Sequence, residues 1–142
     1  METIKELLQN NRGLFKVSLG TSIYDAALYM SEKGVGLVPI MDGEKLVGVF
    51  SERDLLKRVI AKNLDLKQTE VDEVMTTQLI LANIDEAYES VLKKMKDARI
   101  RHILVIENEN LAGVLSLRDL LEIDINVCKS TVEVLNNYIY SK

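Results

Sequence analysis

The chain has 142 residues, of which 47% are apolar and 28% are charged, and its formal net charge at pH 7 is −4. This composition is sufficient for a compact core and lacks the broad basic surface that nucleic-acid binding requires, so we expect no nucleic-acid partner. The apolar runs are too short to span a membrane and the N-terminus has no secretory signal, so we expect a cytoplasmic protein. A single cysteine and a single histidine exclude internal disulfides and zinc centres, which predicts a metal-free protein.

The first sixty residues have the pattern of a β-α-β-β-α unit that follows a short amphipathic helix at residues 4–8. A strand is predicted at residues 15–17, and the helix after it has apolar side chains at helical spacing, namely Ile23, Ala26, Ala27 and Met30. Apolar segments on either side of a turn at residues 42–44 predict a β-hairpin over residues 37–50.

Pro39 interrupts the first strand of this hairpin. Because proline has no N–H to donate to a sheet, the strand is predicted to lie at a sheet edge or to end there. After the hairpin, Ser51 begins a helix whose apolar positions are Leu55, Leu56, Val59 and Ile60. A polar linker follows, and a helical turn is predicted near its end at residues 71–75.

The same unit occurs a second time, because a shift of 65 residues aligns residues 17–56 with residues 82–121 without a gap. The copies are identical at Leu46, Gly48, Val49, Ser51, Arg53, Asp54, Leu55 and Leu56, which recur as Leu111, Gly113, Val114, Ser116, Arg118, Asp119, Leu120 and Leu121. The second copy is predicted to begin with a strand at residues 79–81. An amphipathic pattern at residues 131–140 predicts a final helix.

The chain is therefore predicted to be an α/β protein built from two tandem repeats. The first repeat with its N-terminal helix spans residues 1–62, a linker spans residues 63–78, and the second repeat with its C-terminal helix spans residues 79–142. Two such halves are expected to pack sheet to sheet around a pseudo-twofold axis, with helices on the flanks of the small sheets.

Residues 48–54 (GVFSERD) and 113–119 (GVLSLRD) both match the G-h-x-[S/T]-x-x-D signature of CBS domains, in which h is an apolar residue. Residues 71–76 and 99–106 are similar to the stretches that precede a second CBS repeat and its signature. The chain thus resembles the small bacterial and archaeal proteins that consist of one CBS pair. This resemblance implies a regulatory module. The sequence shows no catalytic triad order and no Walker loop, so we do not expect an enzyme.

The resemblance also implies that an adenosine-containing ligand (AMP, ADP, ATP or S-adenosylmethionine) binds in clefts between the repeats. In each copy, the aspartate three residues after the serine can accept both ribose hydroxyls at a strand-to-helix junction. The serine hydroxyl and the helix N–H groups can face a phosphate. The candidate ligand-binding residues are Ser116, Asp119, Arg101, His102, Ser51, Asp54, Gly36, Leu37, Val17 and Ser18.

The two clefts are expected to differ. Arg101 and His102 would point at phosphates in the second cleft, whereas the aligned residues of the first copy, Gly36 and Leu37, carry no charge. The second cleft should favour phosphorylated ligands, and the first should accept a neutral adenosyl group or stay empty.

Several of these residues also have a purely structural interpretation. Serine and aspartate at this spacing satisfy a helix capping box, a role that is compatible with ligand contact. His102 can be a half-buried histidine whose nitrogens contact the backbone. Arg53 and Arg118 are expected to pair with carboxylates on the helix surface, and Gly48 and Gly113 to let the backbone approach the ligand.

Two functions remain open on the sequence alone. In the first, the ligand bridges the repeats, shifts their packing, and an effector protein or a homodimer face responds to the shift. In the second, the chain is a dimerisation or partner-binding scaffold without nucleotide affinity. A thermal shift with an adenosyl ligand would distinguish them.

Overall fold

The computed structural model describes residues 3–9 and 14–122, so the predicted C-terminal helix at residues 131–140 lies outside the described residues. The first part of the chain forms α1 (Ile4–Gln9), β1 (Val17–Ser18), α2 (Ile23–Lys33), β2 (Leu37–Asp42), β3 (Lys45–Ser51) and α3 (Glu52–Asp54, continued by a π-helical segment, Leu55–Ile60). The second part forms a 3-10 turn (Val71–Glu73), β4 (Leu81–Asn83), α4 (Tyr88–Ala98), β5 (His102–Glu107), β6 (Asn110–Ser116) and helix α5, described over residues 117–122.

Two three-stranded sheets have the orders β1-β2-β3 and β4-β5-β6. In each sheet the first pair of strands is parallel and the hairpin is antiparallel. The hairpin registers are related by the same 65-residue shift: Leu37 pairs with Ser51, and His102 pairs with Ser116. Even the bulge in the first hairpin recurs at the equivalent position of the second. The predicted α/β architecture of two tandem repeats is therefore confirmed.

Helix α2 has clear start and stop signals. The Ser22 hydroxyl at its N-cap accepts a hydrogen bond from the Asp25 N–H at 3.1 Å. The helix ends at Gly34, whose φ of 67° is the left-handed conformation that glycine adopts without strain. One face of the helix buries Ile23, Ala26 and Met30 against the sheet.

Each repeat has its own apolar core, and the segment that precedes each repeat contributes to the core of the other. Ile4 of α1 is fully buried in the second core, and its N–H donates to the Glu86 carbonyl at 3.3 Å. In the same way, Val71 and Val74 at the end of the linker belong to the first core. Sequence order assigns α1 to the first repeat, but the helix packs on the second, which ties the two repeats together.

Pro39 lies in a central strand, so the prediction that its strand would be at an edge or end there is wrong for β2 as a whole. The argument from the missing proline N–H still applies at Pro39 itself. Strand β1 pairs with Ile40 and Met41 but not with Pro39, so within the described residues β3 is the single hydrogen-bonded neighbour of β2 at this point. A missing N–H is tolerated where one side of the strand has no partner strand.

The apolar positions predicted for α3 divide into two groups. Val59 is fully buried and Leu55 packs against the first core, whereas Leu56 and Ile60 are 63% and 54% exposed. Leu55 and Val59 lie four residues apart and share one face of the helix, whereas Leu56 and Ile60 share the neighbouring face, which the core does not cover. The second predicted strand start also differs, because β4 begins at Leu81 and not at residue 79.

The glycines of the two signatures make room for side chains. A Cβ on Gly48 would lie 2.5 Å from Met75 Sδ and 3.0 Å from the Thr76 carbonyl oxygen, and a Cβ on Gly113 would lie 2.6 Å from Leu8 Cδ2. Met75 and Leu8 belong to the two segments that cross between repeats. The expectation that these glycines admit a ligand is therefore replaced by a packing role.

We expect Gly48→Ala to lower the free energy of unfolding by about 1–3 kcal/mol, as overpacking of a core does. Gly113→Ala should cost less, because only the flexible end of Leu8 stands in the way. Urea unfolding of both variants measures the difference. A larger loss for Gly113→Ala would contradict this account of the two contacts.

Candidate ligand-binding cleft

A cavity of about 790 Å³ opens between the two repeats, within the size range of small-molecule sites. Both repeats contribute to its wall, the first through the segment before β1 and the loop from α2 to β2, and the second through β6 and α5. The lining residues are Leu14, Phe15, Lys33, Gly34, Val35, Gly36, Leu37, Arg101, His102, Val114, Ser116, Leu117, Arg118, Asp119, Leu121 and Glu122. We call this cavity the Asp119 cleft.

Asp119 and Ser116 stand at the junction of β6 and α5. The Ser116 N–H donates to Asp119 Oδ2 at 2.9 Å, and the Asp119 N–H donates to Ser116 Oγ at 3.1 Å. These reciprocal bonds are the predicted capping arrangement. Within the described part of the chain, Asp119 Oδ1 accepts no hydrogen bond, so the half-buried carboxylate keeps acceptor capacity towards the cleft.

The β5-β6 hairpin places Arg101 and His102 beside this junction. His102 pairs with Ser116 across the hairpin, and the Leu117 N–H donates to the Arg101 carbonyl at 2.7 Å. Gly36 reaches the same point from the first repeat, since a Cβ on Gly36 would lie 3.3 Å from His102 Cε1. The hairpin register and this close approach explain why residues from both repeats meet here.

The His102 ring is half-buried at this meeting point. Burial lowers the pKa of His102, the carboxylates of Glu52 and Asp119 act in the opposite direction, and Arg101 lowers the pKa further. The net shift is downward from an ordinary pKa already below 7, which favours the neutral ring at pH 7. The positive charge next to it comes from the Arg101 guanidinium.

The equivalent aspartate of the first repeat, Asp54, is enclosed by protein groups. It is only 7% exposed, and its carboxylate accepts hydrogen bonds from the Ser51 N–H and hydroxyl, both at 3.1 Å. The Thr76 hydroxyl donates to the same carboxylate at 3.2 Å, and Arg58 Nε lies 3.6 Å from Oδ1. Both carboxylate oxygens are thus engaged inside the protein.

The linker is held against the first repeat by the same network. Thr76 exchanges two backbone hydrogen bonds of 2.9 Å with Val49 of β3. Arg58 Nη1 donates to the carbonyl oxygens of Val74 and Met75, both at 3.2 Å. The Thr76 hydroxyl therefore reaches Asp54 from a firmly paired backbone position.

Six of the ten predicted binding residues line the Asp119 cleft: Ser116, Asp119, Arg101, His102, Gly36 and Leu37. Ser51 and Asp54 lie outside it, in the network described above. Val17 and Ser18 also lie outside the cleft, because Val17 pairs with Ile40 in the sheet and its side chain belongs to the first core.

Sequence reasoning missed lining residues from both repeats, among them Leu14, Phe15 and Lys33. Phe15 was placed in the strand before α2, but the strand begins two residues later and leaves Phe15 at the mouth of the cleft. The sequence does place Lys33 close to a predicted binding residue, since it lies directly before Gly34, where α2 ends, and three residues before Gly36. Because Lys33 is far in sequence from the second signature, no pattern indicated that it lies near Asp119.

The surface pairing expected for Arg53 and Arg118 is not found in the part of the chain that the structure describes. Among the described residues neither guanidinium has a carboxylate within 4.0 Å, and Arg118 lines the Asp119 cleft. The ion pairs that the described residues do form are Arg58 with Asp54 and Lys94 with Glu86.

Two broader features of the described residues bear on the site. None of their helices has the length and apolar character needed to cross a bilayer. No cluster of three or more histidine, cysteine, aspartate or glutamate side chains in residues 3–9 and 14–122 is arranged to hold a metal ion. Cys128 lies outside the described residues.

Curated relatives of this chain include proteins with and without further domains. The chain is 31% identical over 120 residues to the CBS domain-containing protein YhcV of Bacillus subtilis, which covers 84% of either chain. It is 32% identical over 123 residues to the mitochondrial CBS domain-containing protein CBSX3 of Arabidopsis thaliana, and this match covers 83% of the chain and 60% of the relative. The arabinose 5-phosphate isomerase KdsD of Pseudomonas aeruginosa is 31% identical, but the match covers only 36% of its length.

Solved structures with the same fold include complexes with adenosine-containing ligands. The CBS domain protein PAE2072 from Pyrobaculum aerophilum, solved with AMP, is 31% identical with a TM-score of 0.72, over 83% of this chain and 89% of its own. The CBS domain pair of MJ0100, solved with 5′-methylthioadenosine and S-adenosyl-L-methionine, has a TM-score of 0.79 over 89% and 98% of the two chains. At 24% identity, this second likeness concerns the fold alone.

The family model of the CBS domain matches residues 4–61 and again residues 71–126. These two matches cover most of the chain and coincide with the two sheets and their helices. The chain therefore belongs to the CBS domain family, of which it contains two tandem copies.

Proposed function

We propose that this CBS pair is a regulatory module that binds one adenosine-containing ligand per chain in the Asp119 cleft. The observation that carries the proposal is the contrast between two copies of one motif. Asp119 faces a cavity and retains a carboxylate oxygen without a described donor, whereas Asp54 has its carboxylate occupied by Ser51, Thr76 and Arg58.

The walls of the Asp119 cleft supply each kind of contact that an adenosine ligand needs. Apolar side chains such as Val35, Leu37 and Val114 suit the faces of an adenine base. The Asp119 carboxylate suits the two ribose hydroxyls, because it can accept from both. The Arg101 guanidinium and the α5 N-terminus suit a phosphate. The same set favours AMP, ADP or ATP over S-adenosylmethionine, whose sulfonium is positive.

The AMP complex of PAE2072 supports a ligand of this class, because that protein shares 31% of its residues and the fold with this chain. Since the cleft is lined by both repeats, a ligand in it would contact both and stabilise one relative packing. An effector protein would respond to that packing. We propose no catalytic role, and cytoplasmic location stays a prediction.

A homodimer remains part of this proposal. Helices α2 and α3 expose apolar side chains that a second copy would cover, with Leu28, Leu56 and Ile60 each 47% exposed or more. The alternative function, a scaffold without nucleotide affinity, would use the same helices.

Calorimetric titration of the purified protein, freed of carried-over nucleotide, tests the proposal directly. The ligands are AMP, ADP, ATP, adenosine and S-adenosylmethionine. Binding of a phosphorylated ligand with one site per chain is expected. Two sites per chain would show that Asp54 also takes part, and the absence of binding across the panel would favour the scaffold.

Arg101→Ala is expected to weaken AMP by roughly tenfold and adenosine by less than twofold, because only AMP has a phosphate for the guanidinium to contact. The same titrations measure this difference. The exposed Arg53, which lies outside the cleft, provides the matched control Arg53→Ala. Equal losses for AMP and adenosine would place Arg101 away from the phosphate.

A further inference from the structure

Lys33 brings a positive charge from the first repeat into the Asp119 cleft. It lies in the last turn of α2, directly before the helix ends at Gly34, and it lines the cavity together with residues of the second repeat. A lysine at a helix C-terminus is favoured by the helix dipole alone. Its surroundings give it a further role.

Two aromatic rings hold the ammonium group at the cleft wall. Lys33 Nζ lies 5.6 Å from the Phe15 ring centroid and 5.8 Å from that of Tyr29. The two rings contact each other edge to face at 6.3 Å. Because Phe15 itself lines the cavity, these ring contacts keep the ammonium group of the exposed Lys33 beside the cavity wall.

Three cationic side chains line this cavity. Among the described residues, none of Lys33, Arg101 and Arg118 has a carboxylate oxygen within 4.0 Å. Asp119 and Glu122 bring carboxylates to the same cavity, and the three cations would attract an anion that enters it. Arg101, next to Ser116, suits the first phosphate of a nucleotide, and Lys33, from the opposite repeat, remains available for charge further along a phosphate chain.

The equivalent positions around Asp54 carry less positive charge. The 65-residue shift relates Lys33 to Ala98 and Arg101 to Gly36, so the position of Asp54 lacks two of the three cations. At these two pairs of aligned positions, the positive charge lies on the side of the Asp119 cleft.

We propose that Lys33 contacts the second or third phosphate of a nucleotide, which makes the Asp119 cleft selective for a nucleoside di- or triphosphate over the monophosphate. This inference rests on the proposed function. A polyphosphate chain that reaches from Arg101 to Lys33 ties the two repeats together through the ligand, whereas a monophosphate leaves Lys33 without an anionic partner.

The test is titration of wild type and Lys33→Ala with AMP, ADP and ATP. Wild type is expected to bind ATP more tightly than AMP. The variant should lose about tenfold in ATP affinity, as for one hydrogen bond to a charged group at an accessible site, and less than twofold in AMP affinity. Lys33→Arg, which keeps the charge, should retain the preference for ATP.

Lys96→Ala is the matched control, since Lys96 is an exposed lysine in the last turn of α4, and it should change no affinity. Thermal unfolding shows whether each variant is folded. Equal losses for AMP and ATP in Lys33→Ala, or equal wild-type affinities for the two, would overturn the inference and leave the proposed function intact. Failure of wild type to bind any nucleotide would overturn both.

Discussion

Replacing Asp119 with alanine is expected to weaken the binding of both adenosine and AMP by about 1.5–3 kcal/mol, the range for hydrogen bonds to a charged group. This corresponds to roughly 10- to 100-fold in the dissociation constant. The reason is geometric, because Asp119 Oδ2 is engaged by the Ser116 N–H while Oδ1 has no donor among the described residues. A ribose in the cleft would supply that donor.

Calorimetry with adenosine isolates this contact, since adenosine has no phosphate and its affinity is expected to change less than twofold when Arg101 is removed. The variant also loses a capping contact, so its thermal unfolding must be recorded beside its affinity. Asp119→Asn, which retains one acceptor oxygen, should fall between wild type and Asp119→Ala. Unchanged adenosine affinity in a folded Asp119→Ala protein would remove Asp119 from the binding site.

Asp54→Ala is expected to have the opposite profile, a large loss of stability with little change in affinity. Removal of this carboxylate leaves the Ser51 N–H and the Thr76 hydroxyl without their acceptor and Arg58 without its ion-pair partner. Hydrogen bonds to a charged group contribute about 1.5–3 kcal/mol, and we expect a loss within this range because Arg58 is half-exposed and its pairing contributes little.

For a chain of this length, such a loss lowers the melting temperature by about 6–12 °C. Thermal and urea unfolding measure the loss, and calorimetry should give an AMP affinity within twofold of wild type. Thr76→Val, which removes one hydroxyl and keeps the side-chain shape, is the milder control and should cost about 1 kcal/mol. A stable Asp54→Ala protein with abolished binding would instead identify Asp54 as a ligand contact.

The contrast between Asp119 and Asp54 shows where prediction from the sequence reached its limit. The capping bonds of both copies join residues three apart, so the local pattern was enough to predict them. The Thr76 hydroxyl that occupies Asp54 comes from 22 residues away, at the end of the linker. No spacing rule within the motif could indicate that protein groups would engage the aspartate of one copy while the aspartate of the other would face a cavity.

Exposure along α3 and the position of Pro39 were mispredicted for a related reason. A helical period predicts one buried stripe with all four apolar positions of α3, but the first core covers only the face of Leu55 and Val59 and leaves Leu56 and Ile60 exposed. The expectation that a proline lies at a sheet edge was correct at Pro39 itself and wrong for β2 as a whole. The reason is that the short strand β1 pairs with β2 beyond Pro39 but does not extend to Pro39.

The sequence by itself determined the repeat, the hairpins, the caps and the residues that one repeat contributes to a site. These features depend on side-chain alternation and on hydrogen bonds between near neighbours, which are encoded within a few residues. Only the tertiary structure decided that α1 packs on the second repeat, that Thr76 engages Asp54, and that Lys33 shares a cavity with Asp119. Such contacts depend on how separate segments pack in space. The free energy of burying their apolar surfaces cannot be predicted from any local sequence pattern.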